Sequence, residues 1–196
     1  PSLGGPTYFT HNAMYNVVYS AFKLHNGSIG DVILHNTVVK NGDALGVYAG
    51  ASIRRALFRN NLFIGGPGGT WAGYNTGSGR VAAVADLDIS SSSLDFDAYG
   101  STTGLFSGAL GSARFSSLAA LRSATSEKHA LQVSLSTFAA SVAYPALPMS
   151  AYAPVDLRPK AGTAIENVAL RIPNVNDGYT GNAAEIGAYE VGAALP

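Results

Sequence analysis

A gapless repeat of 24 residues constrains this chain more than any other feature. Phe9-Thr10-His11-Asn12-Ala13-Met14-Tyr15 aligns with Ile33-Leu34-His35-Asn36-Thr37-Val38-Val39, and both align with Leu57-Phe58-Arg59-Asn60-Asn61-Leu62-Phe63. The same spacing relates Ser28, Ser52 and Thr76, and relates Ile29 to Ile53. A fixed short period signals stacked units, none of which can bury its apolar face alone.

Inside each unit, short β-branched or aromatic runs are split by turn residues. Val32-Ile33-Leu34, Val38-Val39 and Leu45-Gly46-Val47-Tyr48 are such runs, with Asn41-Gly42-Asp43 as a turn. Leucine-rich repeats have a similar length, but their Leu-x-x-Leu-x-Leu-x-x-Asn pattern is missing and no helical periodicity lies inside the unit. Three short strands and three turns make one coil of a parallel β-solenoid. Coils stacked at roughly 4.8 Å satisfy one another's backbone. Asn12, Asn36 and Asn60 then form a corner column, because Asn tolerates a tight left-handed turn and stacked amides can bond along the column.

Composition supports this and removes other classes. Twelve Lys plus Arg balance twelve Asp plus Glu, so the basic excess of a general nucleic-acid binder is absent. With 47% hydrophobic and 12% charged residues the chain can bury enough apolar surface to fold. No apolar run approaches the roughly 20 residues of a membrane span. Cysteine is absent, which removes disulfides, thiolate zinc sites and Cys nucleophiles.

The opening Pro1-Ser2-Leu3-Gly4-Gly5 has neither Met nor a signal-peptide pattern, so a processed or trimmed product is expected. After Gly65 the regularity fades into glycine-rich excursions around Trp71 and Tyr74, and Val81 to Ile89 reads as a further coil. Ser116 to Arg122 reads as the one helix, capped by Ser116. Residues 1–110 are therefore read as regular and then degrading coils, and 111–196 as the helix plus an irregular C-terminal cap of the same domain. Nothing comparable precedes Tyr8, so further coils before Pro1, or another chain, are expected to cover that edge.

The 24-residue spacing places His11, His35 and Arg59 in one column. It likewise groups Lys23, Val47 and Trp71, and next to them Leu24, Tyr48 and Ala72, with His25 adjacent. Between residues 1 and 64 the charges are Lys23, Lys40, Arg54, Arg55 and Arg59 against Asp31 and Asp43. Such a basic, aromatic-bearing wall suits an extended anionic polysaccharide, since guanidinium pairs with carboxylate and rings stack on sugar faces.

Glycoside hydrolysis needs two carboxyl groups about 5 to 10 Å apart. Asp31 and Asp43 lie half a repeat apart and so face opposite ways, which disfavours a hydrolase within this chain. Asp95 and Asp97 are close but sit in a loop and could equally bind Ca²⁺; Asp86, Asp88, Asp95 and Asp97 all read as solvated loop carboxylates. Asn26-Gly27-Ser28 is a glycosylation sequon, and Asn174 to Gly178 reads as a turn rather than a calcium loop. A phosphate-cradling glycine loop, a metal-spaced His pair and a Gly-x-Ser-x-Gly elbow are all missing.

The His35-Asn36-Thr37-Val38-Val39 and Arg59-Asn60-Asn61-Leu62-Phe63-Ile64 runs resemble coil motifs of the right-handed parallel β-helix proteins of the pectate-lyase superfamily. The stretch Asn176-Asp177-Gly178 to Glu185-Ile186-Gly187-Ala188-Tyr189-Glu190 is similar to the usual ending of the secreted members, with Glu185 in place of Asp. Phe138 and Asp156 to Ile165 resemble their last irregular coils. The resemblance implies an all-β, right-handed parallel β-helix of about 24 residues per coil, one short helix and an irregular C-terminal cap, secreted or on the cell surface.

It further implies polysaccharide as partner and, if the chain is catalytic, uronate cleavage by β-elimination. That reaction needs a base and a group to neutralise the carboxylate. His35, His11, Arg59 and Lys23 are the candidate catalytic residues, and Tyr48, Trp71, Tyr74 and His25 the candidate substrate contacts. Ca²⁺ is a possible cofactor. The alternative is a non-catalytic β-solenoid serving as an adhesin or assembly subunit.

Overall fold

The computed structural model describes residues 6–24, 27–145 and 153–194. It is an all-β chain with several parallel sheets and one short helix. Sheet A holds β1 (Tyr8–Thr10), β4 (Val32–Leu34), β7 (Leu57–Arg59) and β12 (Ser93–Asp95). Sheet B holds β2 (Ala13–Tyr15), β5 (Thr37–Val39), β8 (Leu62–Gly65), β13 (Ala98–Ser101) and β16 (Leu131–Gln132). Sheet C holds β3 (Phe22–Lys23), β6 (Leu45–Tyr48), β11 (Ala82–Val84), β14 (Gly108–Leu110) and β15 (Ala113–Phe115). The chain thus visits A, B and C in turn, and each new layer pairs in parallel with the one before. Among the described residues two strand pairings are antiparallel, β15 on β14 and the hairpin of β9 (Thr70–Trp71) with β10 (Tyr74–Asn75), inserted between β8 and β11, and an isolated antiparallel bridge joins Phe138 to Pro159.

Side chains alternate along every strand. One parity of all three sheets points inward, and Ile33, Val38, Phe58, Phe63, Leu94 and Tyr99 form the buried core between them. On sheet B the other parity is buried as well. Val39, Leu62, Ile64 and Ala98 pack against Phe138, Leu157, Ile165, Ala184 and Ile186 of the C-terminal segment. The irregular C-terminal residues therefore clothe the outer face of sheet B, where an end cap was expected. The expected strands beyond residue 130 reduce, among the described residues, to β16. Helix α1 (Leu118–Ala124) starts one residue later than expected, because Ser117 rather than Ser116 accepts the Ala120 amide; buried Leu121 joins the core.

The repeat is not uniform. The first step is 24 residues, Phe9 to Ile33, but the second is 25, Ile33 to Phe58, and the third is 36, Phe58 to Leu94. The register of β2 on β5 is still 24, Met14 to Val38, while that of β3 on β6 is already 25, Phe22 to Val47. The added residue therefore lies in the corner between β5 and β6. Ile29 accordingly bridges Arg54 and not Ile53.

The corner between sheets A and B fixes this register. His11, His35, Asn60 and Phe96 occupy it with φ of 54°, 50°, 60° and 61°, the left-handed region. The residues after them, Asn12, Asn36, Asn61 and Asp97, form a ladder. Asn12 Nδ2 donates to Asn36 Oδ1 (2.8 Å), Asn36 Nδ2 to Asn61 Oδ1 (2.9 Å) and Asn61 Nδ2 to Asp97 Oδ1 (2.9 Å). Each of these oxygens also accepts the backbone amide of the preceding ladder residue. Asn60, expected in the column, is the corner residue instead, and Asn61 takes the rung.

Asp97 ends the ladder as a group that only accepts. Its Oδ2 and Glu127 Oε2 are both buried without a hydrogen-bond partner, and the two carboxyls face each other, so a single proton held between them would satisfy both. Burial pushes Asp97 up to about 6 against the donors of Asn61 and the charge of Arg59. Burial, then the Asp97 charge, push Glu127 well above the carboxylate range, and Tyr99 Oη donates to Glu127 Oε1 (2.5 Å). A carboxyl raised by folding stabilises below its unfolded value, and that contribution is lost as pH rises through the folded value. The pair's contribution is therefore complete below about pH 4 and declines as pH rises through about 6, where Asp97 ionises, and on through the higher range to which burial moves Glu127. Urea midpoints of the wild type should fall as pH rises from about 4 through 6 and above, and Glu127→Gln, with a permanent donor, should make that fall shallower. Parallel wild-type and variant profiles would show that no proton is shared.

Candidate functional site

Outward residues of sheet C make the floor of an open groove. Gly46 and Ala83 are register partners on β6 and β11, and Lys23 is the register partner of Tyr48. Two adjoining clefts of about 370 and 330 Å³ share Tyr19 and Ser20. The first is lined further by Asp43, Asn75, Thr76, Gly77, Ser78 and Arg80, the second by Lys23, Tyr48 and Tyr74. Tyr19 stands between its neighbours, 6.0 Å from the Tyr48 ring and 5.5 Å from that of Tyr74. Trp71 is the cross-strand partner of Tyr74 and is 46% exposed. Lys23 Nζ lies 5.5 Å from the Tyr48 ring centroid, a cation–π contact.

The wall beside the tyrosines is built where the repeat was interrupted. The Asn41-Gly42-Asp43 turn carries the added residue, and the inserted hairpin ends at Thr76 to Arg80. The two pack so closely that a Cβ on Gly42 (φ +74°) would meet the Thr76 carbonyl oxygen. Asp43 Oδ1 accepts the amides of Ser78 (3.0 Å) and Arg80 (2.9 Å), and Oδ2 accepts Arg80 Nη2 (2.7 Å). Burial opposes ionisation of Asp43, but Arg80's hydrogen bonds, the two amides and Arg80's charge outweigh it and hold the carboxyl below its ordinary range. Asp43 is thus a fixed carboxylate, and Arg80, with 44% of its side chain exposed, reaches the groove.

The predicted histidine column lies elsewhere and is partly overturned. His11 and His35 do stack, with rings 4.9 Å apart and 1° from parallel. Arg59 does not join them, because the 25-residue step pairs it with Leu34; its guanidinium goes to the Phe58 carbonyl and Ser93 Oγ. His35 is 1% exposed and enclosed by the C-terminal segment. Asn60 and Asn176 each donate Nδ2 to His35 Nε2 (2.9 Å), so this nitrogen accepts and Nδ1 carries the proton toward the Gly187 carbonyl (3.2 Å). Burial, then the charge of His11, hold His35 down to about 4. It is a neutral pin for the C-terminal segment, with no room for substrate.

Lys23, a candidate catalytic residue, meets the expected contacts Tyr48 and Tyr74 in the groove, and Trp71 lies on its hairpin, while His25 falls outside the described residues, as does Asn26 of the sequon. Lys40, counted on the basic wall, is buried. Tyr19, Asp43 and Arg80 were not singled out as ligand contacts; the turn chemistry of Asn41-Gly42-Asp43 was the one signal for them. Among the described residues no cluster of three or more His, Asp or Glu is placed to hold a metal, and no helix is long and apolar enough to cross a membrane. The chain matches no family model, and no curated protein or solved structure is significantly similar to it.

A histidine depressed by folding stabilises above its ordinary value near 6.5, and that contribution drains as pH falls toward the folded value. His35 ring resonances should titrate near 4, and acidification through that range should raise hydrogen exchange in residues 170–187 before the core. A His35 midpoint near 6.5 would contradict the pinned arrangement.

Proposed function

We propose that the chain is a right-handed parallel β-helix of the pectate-lyase-superfamily type, an exported or surface protein that binds an anionic polysaccharide along the sheet C groove. Three supports carry the fold reading: the A-B-C order of strands, their parallel pairing, and the strong right-handed preference of parallel crossovers. The tyrosine row beside Arg80 and Lys23 carries the binding reading. Tyrosine offers an apolar face with a polar tip, as sugars do, and the cations supply charge selectivity. The small residues Gly46 and Ala83 leave the floor clear.

The groove holds one carboxylate, already engaged by Arg80, so the paired carboxyls of a hydrolase are missing from its lining. For β-elimination the available bases are the groove tyrosines and Lys23. An assembly subunit is the rival reading. It draws on β1, β2 and β3, each paired on one side only among the described residues, with Phe9 and Met14 partly exposed at that end.

Titration calorimetry with oligogalacturonate and with a neutral glucan tests this. Binding should favour the uronate, weaken with salt, and fall about tenfold or more in Tyr19→Ala/Tyr74→Ala, equal to about 1.4 kcal/mol. Ala83→Trp should block it. A rise in ultraviolet absorbance from unsaturated product would add lyase activity. No binding of any acidic glycan, with concentration-dependent self-association by light scattering, would replace this reading with the assembly one.

A further inference from the structure

The side chain that supports the polar wall of the groove is itself out of solvent. Lys40 follows β5 and is 1% exposed. Its Nζ donates to the carbonyl oxygens of Asn41 (2.6 Å) and Asp43 (2.9 Å), so the turn is folded around an ammonium. The same turn is gripped from outside. Gly42 N donates to the Pro67 carbonyl (3.3 Å) and Tyr144 Oη (3.2 Å), and Asp43 N to the Thr76 carbonyl (2.9 Å). A buried ammonium is costly, and an aliphatic side chain of that length would fill the space without that cost. What the charge adds is an attraction for two carbonyls that otherwise have no common partner.

We propose that Lys40 is the positioning residue of the groove: its ammonium, clamped on the Asn41 and Asp43 carbonyls, fixes the turn that presents Asp43 and Arg80 to the ligand, and loss of its proton, which leaves two N–H donors but no charge, loosens that turn. The charged and titratable groups facing it are few. The Asp43 carboxylate favours the ammonium, and Arg80 lies behind that carboxylate. Tyr144 packs on Gly42, and burial pushes its phenol up to about 12, so it stays neutral while Lys40 titrates. Burial outweighs Asp43 and brings Lys40 down to about 8. The turn is therefore held tightly below that value and more loosely above it. The consequence for ligand rests on the glycan reading; the clamp does not.

Methyl NMR of the whole chain, followed across about pH 6 to 10, tests the clamp without ligand. The Ala44 methyl, next to Asp43, and the Ala83 methyl on the groove floor should shift together with a midpoint near 8, matching the Lys40 Cε resonance. Lys40→Arg, charged throughout, should hold the low-pH positions, and Lys40→Met, with nothing to titrate, should show no step. Oligogalacturonate affinity should drop about tenfold across the same midpoint in the wild type alone. Flat methyl shifts in the wild type, or the same step in Lys40→Arg, would overturn the proposal; should Lys40→Met not fold, these two measurements still decide it. A methyl step with no oligogalacturonate bound at any pH would uphold the clamp and overturn the glycan reading.

Discussion

The structure depends on one row of side-chain amides in its interior corner. Asn12, Asn36, Asn61 and Asp97 link four layers, each rung's oxygen accepting a backbone amide and a side-chain amide from the rung before. Only Asn serves as a middle rung, since it both accepts and donates in this geometry. A carboxyl suits the last rung because it asks for no further acceptor. Buried polar groups that lose such partners cost about 1–3 kcal/mol each, so a slip of one residue is penalised at every layer. The aromatic core of Phe22, Phe63 and Tyr99 adds cohesion, but apolar packing alone tolerates sliding that the ladder forbids.

Because one corner holds the register, the others are free to vary in length. The β5–β6 corner takes one extra residue. The next passage from sheet B to sheet C takes the β9–β10 hairpin, and the step from Leu45 to Ala82 grows to 37 residues. Both insertions fall on the sheet C side, and together they raise the wall against which the tyrosines stand. The groove is thus what the length variation of a repeat builds when its register is secured elsewhere. The C-terminal segment plays the complementary part on sheet B: its hydrogen bonds to His35, Asn60 and Thr37 give the outer face a cover.

Much of this was legible in the residues. Short β-branched runs and turn signals gave an all-β stack, and the turn at Asn41-Gly42-Asp43 is where it was expected. The register was misread for a physical reason. Asn60 and Asn61 are adjacent, so a 24-residue step and a 25-residue step both place Asn above Asn36; the one inserted residue decides between them and leaves no mark in local composition. That single shift removed Arg59 from the histidine column. The role of His35 was hidden because its partners, Asn176 and Gly187, lie some 140 to 152 residues away. The groove was partly visible in Lys23, Tyr48 and Tyr74. Tyr19 was not, since its place between two other tyrosines depends on a hairpin that the repeat does not encode.

Native-state hydrogen exchange at the backbone amides of Asn36 and Asn61 is the most direct test of the ladder. Both donate to a side-chain oxygen of the next layer (3.0 and 2.7 Å), not to the backbone partner that a strand amide has. If the row of amides secures the layers, these two protons should exchange only through global unfolding, with the same opening free energy and urea dependence as the central amides of β5 and β8. Exchange at the rate of exposed corner amides, while the strands stay protected, would mean that apolar packing holds the layers in register and the ladder is incidental.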